Sequence, residues 1–441
     1  RMTDTAGNDV SIDADWRASM MANAARDPYW QASVRTETLN LPAYQAAIEK
    51  KCVTCHMPMA YFTAHVTGEA ASMLDGGFAD PANRHHTLAI EGVSCTVCHQ
   101  IEESNLGQAE SFSGGFAINP DLPQGERLTY GPYEVSADLS RLMQVSSGFV
   151  PLQGLHIQQA QICATCHTLY TPYIDQATGE VAGEFPEQMP YVEWLHSDYA
   201  RSQTCQFCHM PTATGGVQLS TTGGPLREPF SQHVFVGGNV YMLRVLQALS
   251  EDLAATASSA QFATKQQNTL DQLQNRTATV QLLTTTLSEG HLLVDVAVKN
   301  LAGHKFPTGF PSRRAWLHLT VHDKDGKAVF ESGAYRSDGS IVGNASDADP
   351  LAYEPHYTEI NDASQVQIYE AIMGDTNDQV TTHLLLGAKY LKDNRLLPTG
   401  FDKSTASEEI AVQGAAQTDA DFNGGGDRVR YLVDVTGATG P

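Results

Sequence analysis

The sequence predicts an α+β chain in two successive parts, a mainly helical and loop region followed by an antiparallel β-sandwich. Three observations lead there. All eight cysteines fall between residues 52 and 208, which makes the first part distinct in its chemistry. Apolar spacing near 3.6 marks helices at about 14–34, 41–51 and 241–274. After residue 276 the pattern gives way to short β-forming runs bounded by turn residues. A chain of 441 residues is long enough for two or three domains. The boundaries predicted are 1–240, a helical connector at 241–275, and a sandwich at 276–441.

Taken in order, the Ala-rich run 14–34 reads as a helix interrupted around Pro28. A short helix at about 41–51 then leads towards the first cysteines. Residues 60–240 are rich in Gly, Pro, Ser and Thr, with few periodic stretches. Two helices broken near 257–260 account for 241–274. The strand candidates are Thr277–Leu287, Leu292–Lys299, Ala315–His322, Ala328–Glu331, Val366–Ile372, Val380–Leu386, Glu409–Gln413 and Val429–Val435. Turn signals such as Asp325-Gly326 and Asn423-Gly424-Gly425-Gly426 separate them, the signature of a sandwich.

The chemistry sits in four Cys-x-x-Cys-His motifs that use up every cysteine. They are Cys52 and Cys55 with His56, Cys95 and Cys98 with His99, Cys163 and Cys166 with His167, and Cys205 and Cys208 with His209. This spacing attaches a c-type haem. Each thiol forms a thioether to a haem vinyl group, and the adjacent histidine is the proximal iron ligand. Zinc or redox Cys-x-x-Cys pairs do not require the following histidine, and a disulfide framework leaves it unexplained. With only 16 histidines in 441 residues, four coincidences have odds of roughly one in a million. The first part is therefore read as wrapped on four covalent haems, which act as its core.

Four six-coordinate irons need four more donors, and twelve histidines remain. The distal candidates are His65, nine residues after the first motif; His85 and His86, of which one serves a given haem; His156, seven before Cys163; and His233 in a Gly-flanked segment. His304 joins them from the Gly/Pro-framed loop 303–309, where an ordinary turn is the competing reading; His356 has a similar but weaker case. His318 and His322 read as structural.

These residues resemble the multihaem cytochrome c family that includes the tetrahaem cytochrome partnering hydroxylamine oxidoreductase. The resemblance covers 14–240 and rests on the four motifs, Gly92-Val93-Ser94, CATCHTLYTP, FPEQMPYVEW and the repeated CHMP. The stretches GHKFPTGFPSRRAW and KDNRLLPTGFDK resemble the appendage of exported tetrahaem cytochromes. Members of the family commonly carry Trp-x-x-Ser-x-His, whose histidine is an axial ligand. Here Trp16-Arg17-Ala18-Ser19-Met20-Met21 puts Met21 in that place, either as a thioether ligand or as a packing residue. The resemblance also implies that self-association into haem-stacked filaments is open to such a chain.

A formal charge of −23 argues against nucleic acid and anionic membranes as partners. No apolar run approaches the roughly 20 residues of a membrane span. The start Arg-Met-Thr-Asp carries no signal peptide and fits a processed form; covalent haem attachment outside the cytoplasmic membrane places the protein outside the cell, at its surface, or in the periplasm. Asp338, Asn344, Asp347 and Asp349 are candidate calcium ligands in a Gly-containing loop, with a solvated turn as the alternative; Asp419, Asp421, Asn423 and Asp427 form a similar run. Nothing resembles a hydrolase, NTPase or nucleotide motif. Two functions follow: an electron carrier between redox proteins or extracellular acceptors, or an oxidoreductase with one open haem acting on a small nitrogen or sulfur compound.

Overall fold

The computed structural model describes residues 2–220 and 223–440, and they form both helices and sheets, an α+β chain. Two compact units emerge: Arg1–Cys166 with Gln203–Gln274, and His167–Ser202 with Asn275–Pro441. None of the helices is long and apolar enough to cross a membrane, among the described residues.

The first unit is built from short helices. Pro28 opens a helix, Pro28–Asn40, instead of interrupting one. Proline has no N–H to lose at a first helical position, and Asp27 caps the end by accepting from Tyr29 N and Trp30 N at 2.9 and 3.3 Å. Trp30 and Val34, four apart, face inward. They meet Val53 and Met57 from the next helix and Ala60 and Ala64 from the one after. The alanines let the backbones come close, at the expense of apolar area. Residues 241–275 are no free connector. Their helices, Val240–Ala248 and Ser259–Asn275, bury Met242, Leu243, Leu246 and Phe262 with Ala18.

The second unit centres on one four-stranded sheet. A hairpin from the first half of the chain belongs to this unit, β1 (Leu169–Ile174) with β2 (Val181–Gln188). Then follow β3 (Ala278–Ser288), β4 (His291–Asn300), β5 (Leu319–His322), β6 (Ala328–Ser332), β7 (Glu359–Ile360) and β8 (Gly426–Asp434). The sheet order is β7-β8-β4-β3. Its pairs are antiparallel except β7 with β8, which run parallel. Glu289 and Gly290, at φ 52° and 81°, make the tight turn between β3 and β4, the positive-φ pair that suits the twist of a hairpin. Alternation does the sorting: Val294 and Val296 of β4 and Val429, Tyr431 and Val433 of β8 are buried with Ile360. Leu319, Val321 and Phe330 from the separate β5–β6 ribbon pack against them. Each such side chain contributes roughly 1.5–3 kcal/mol of burial.

Three local expectations changed. Val380–Leu386 and Glu409–Gln413 form no strand beyond single bridges at Val380 and Gln413, and partly fold as the 3₁₀ turns Leu384–Leu386 and Glu408–Ile410; a short apolar run has no period to separate strand from buried turn. The linear division at 240 also omits the return of 167–202 to the strand-rich unit. Phe185 is fully buried with its ring 4.7 Å from that of Tyr390, and Met189 packs among Leu396, Leu397 and Phe401.

Candidate functional site

Each Cys-x-x-Cys pair lies on a helical turn: Gln45–His56, Cys95–Cys98, Gln161–His167 and Cys205–His209. Helical spacing puts residues i and i+3 on one face, so both thiols of a pair point the same way with histidine following. Cys52, Cys55, Cys98, Cys163, Cys166, Cys205 and Cys208 are half-buried, while Cys95 is exposed. None of the eight is tied up in a disulfide. Cys163 is within hydrogen-bonding reach of Cys205, and Cys166 of Cys55. Those contacts, with burial, hold Cys163 and Cys166 well above the ordinary thiol range, and burial pushes Cys98 up to about 11. The third motif's thiols thus stand beside those of the first and fourth.

Three of the four motif histidines share a second feature. His56 donates its Nδ1 proton to Ala24 O at 3.2 Å, His99 to Tyr130 O at 2.5 Å and His209 to Val236 O at 2.6 Å. A carbonyl oxygen only accepts, so Nδ1 carries the ring proton and Nε2 carries the lone pair. Metal-binding imidazoles are oriented this way. His56 also stacks on Trp30, with ring centroids 4.4 Å apart.

The same criterion sorts the distal candidates. His86 donates Nδ1–H to Phe78 O at 3.0 Å and His304 to Lys305 O at 2.9 Å, which puts the lone pair on Nε2 in both. His85 instead turns Nε2 towards Glu69 at 3.0 Å, and His156 spends Nε2–H on Ile101 O at 2.9 Å. His65 is exposed beside the Tyr61 ring. His233 faces His99 directly: the ring centroids are 6.3 Å apart and the planes 21° from parallel. Its Nδ1 is buried without a hydrogen-bond partner, and burial, then His99, push its pKa down to about 4. His233 is therefore neutral at pH 7.

Met21 is half-buried, and its carbonyl accepts from Val93 N at 3.0 Å. Trp16 Nε1 donates to Val93 O at 2.9 Å. Gly92 has φ +59°, and a Cβ there would fall 2.7 Å from Met21 O. The Gly92-Val93-Ser94 segment is therefore the strap that ties the 16–22 region to the second motif. Met59 went unnoticed in the sequence: Ser94 and Thr96 hydroxyls both donate to its sulfur beside that motif. The repeated CHMP stops one residue short of it, at Pro58.

Of the candidate calcium ligands, Asn344 and Asp347 are hydrogen-bonded to each other. Asp338 caps Ser340, Asn344 caps Ser346, and Asp349 accepts from Leu351 N. Asp347 is ion-paired to Arg314 at 3.0 Å. Among the described residues, the group of acidic and imidazole side chains close enough to share an ion is His356, Asp419 and Asp427.

No protein-family description matches the sequence, and no curated protein does. Among solved structures, the chain is similar to a penta-haem cytochrome c552 from Thermochromatium tepidum. The TM-score is 0.52 at 16% identity, covering 97% of this chain and 85% of that one. The likeness is one of fold, and it spans both units.

Proposed function

We propose that the chain is a multihaem c-type cytochrome that carries electrons between redox partners outside the cytoplasmic membrane. The observation that carries this reading is that His56, His99 and His209 each have Nδ1 held by a carbonyl, next to paired thiols. A bound haem supplies reversible one-electron chemistry at iron. The residues do the rest. Four pairs anchor four haems: Cys52 with Cys55, Cys95 with Cys98, Cys163 with Cys166, and Cys205 with Cys208. His56, His99, His167 and His209 present Nε2 to the irons.

For the second motif, His233, whose ring centroid stands 6.3 Å from that of His99, would be the second residue to hold the haem. His86 and His304 are the next assignments, by the lone pair on Nε2. Six-coordinate irons leave no place for a substrate, which favours the carrier over an oxidoreductase. The small side-chain clusters of the first unit fit porphyrins completing its core. The second unit acts as a haem-free two-layer sandwich, its sheet covered by the β5–β6 ribbon. Copies joined head to tail would extend the electron path into a filament.

Intact mass of the native protein tests the count: four haems above the polypeptide, retained after acid–acetone extraction. Fewer covalent haems would overturn it. Electron paramagnetic resonance should be dominated by low-spin signals; a strong high-spin signal responsive to nitrite or hydroxylamine would instead mark the enzyme reading.

A further inference from the structure

We propose that His356, Asp419 and Asp427 form a zinc site in the strand-rich unit, a non-haem metal that pins its loops to the sheet. Asp427 stands at the start of β8, Asp419 on the loop before it, and His356 on the segment entering β7. Their ligand atoms lie within 4.8 Å of one another. His356 Nε2 is 2.9 Å from Asp419 Oδ2 and 4.0 Å from Asp427 Oδ2, and the three side chains are almost wholly enclosed.

The tautomer of His356 is fixed by its neighbours. Gln367 Nε2 and Asn394 Nδ2 approach His356 Nδ1 at 2.8 and 3.1 Å. Both amides are oriented independently, since Gln367 Oε1 accepts from Tyr357 N and Asn394 Oδ1 from Glu370 N. Nδ1 is therefore an acceptor and cannot hold a proton. The ring cannot become an imidazolium without breaking both contacts.

That leaves a charge problem. Two carboxylates are enclosed together, and no Lys or Arg side chain lies within ion-pair distance of either among the described residues. Asp427 Oδ2 has only neutral donors, Tyr369 OH at 2.8 Å and Gln367 Nε2 at 3.3 Å. Buried charges are ordinarily paired or coordinate a metal. A divalent cation at Nε2 neutralises both carboxylates and displaces one proton, from Nε2 to solvent.

The donor set selects the metal. Bonds of about 2.0–2.1 Å in a tetrahedral site put ligand atoms about 3.3 Å apart, between the 2.9 and 4.0 Å seen here. One imidazole nitrogen with two carboxylate oxygens suits zinc. Calcium takes six to eight oxygens and has no use for the imidazole.

The test uses the native haem-loaded protein, in which no thiol competes for zinc. After dialysis against EDTA and titration with Zn²⁺, one equivalent per chain should remain bound through gel filtration, in the presence of millimolar Ca²⁺. Zinc-edge X-ray absorption should show a nitrogen/oxygen shell containing one imidazole and no sulfur. Binding should raise the thermal midpoint and release a proton. His356→Gln and Asp419→Asn should each weaken zinc at least tenfold with the haem spectrum unchanged. Wild-type protein that retains no zinc overturns the proposal even if both variants fail to fold. So does a zinc shell lacking imidazole, or zinc held equally by wild type and folded variants.

Discussion

A histidine ring has two nitrogens, and what one of them holds decides what the other can do. His85 and His86 are neighbours in the chain with the same prior chance of ligating iron. Glu69 occupies Nε2 of the first, while Phe78 O takes Nδ1–H of the second. Sequence could not separate them, because the deciding atoms lie 16 and 8 residues away and one of them is a backbone carbonyl. Replacing His86 by Ala should therefore turn one low-spin haem high-spin by electron paramagnetic resonance, whereas His85→Ala leaves the spectrum unchanged. The His233→Ala protein should likewise lose one low-spin species and gain a carbon monoxide-binding haem, because the ring opposite His99 is gone. Equal spectra for His85→Ala and His86→Ala would remove the tautomer argument.

Secondary elements fix these residues through a few positions that tolerate no change. Gly92 is one, since its φ of +59° and the approach of Met21 O at 2.7 Å to any Cβ both require glycine. Gly92→Ala should cost at least about 1–2 kcal/mol from the left-handed backbone alone, read as a lowered urea midpoint. In the strand-rich unit, Lys305, Asp393, Arg395 and Glu193 form a buried ion network with contacts of 2.6–2.9 Å. Burial raises the Asp393 carboxyl, but Arg395 and Lys305 outweigh it and bring it down to about 2. A carboxyl depressed in the folded state adds stability above its unfolded pKa of about 3.9, and loses it as pH falls towards about 2. Asp393→Asn, which leaves Lys305 without its carboxylate and Arg395 with Glu193 alone, should cost about 3–5 kcal/mol near neutrality. Its difference from wild type should shrink between about pH 4 and pH 2, measured by hydrogen exchange of the strand amides. Such a network is invisible in the sequence: KDNRLLPTGFDK shows the charges, but not that Glu193, some 200 residues earlier in the chain, closes the circuit. The β4 and β8 alternation, by contrast, was legible because period two needs no distant information.

Across the whole molecule, motif chemistry and the change from helix to strand could be read directly, while the return of 167–202 to the second unit could not, since it depends on where Phe185 and Met189 bury. How copies associate follows from one further exposed element. β3 lies at the sheet edge, and ten of its eleven residues are exposed, Val280, Leu282, Leu283 and Leu287 among them. It carries no charge along ATVQLLTTTLS. A long, uncharged edge is a template for pairing with another strand, although the register shift at Leu282/Thr284 interrupts this one. Opposing this is a charge of −23 on every copy, which repels across about 10 Å at 0.1 M salt and across far less at 1 M. Association through β3 should therefore be weak at low salt and grow with ionic strength, as read by light scattering. Leu282→Lys, facing solvent on that strand, should keep the protein monomeric at every salt concentration while leaving its haem spectrum intact. The symmetry of the contact sets its limit. β3 pairing with β3 is isologous and stops at a dimer, whereas unbounded growth needs two different surfaces meeting head to tail. Dimers at high salt that vanish in Leu282→Lys assign the edge strand. Fibres that persist in Leu282→Lys would instead place the growing contact elsewhere, where haem edges of successive copies could meet.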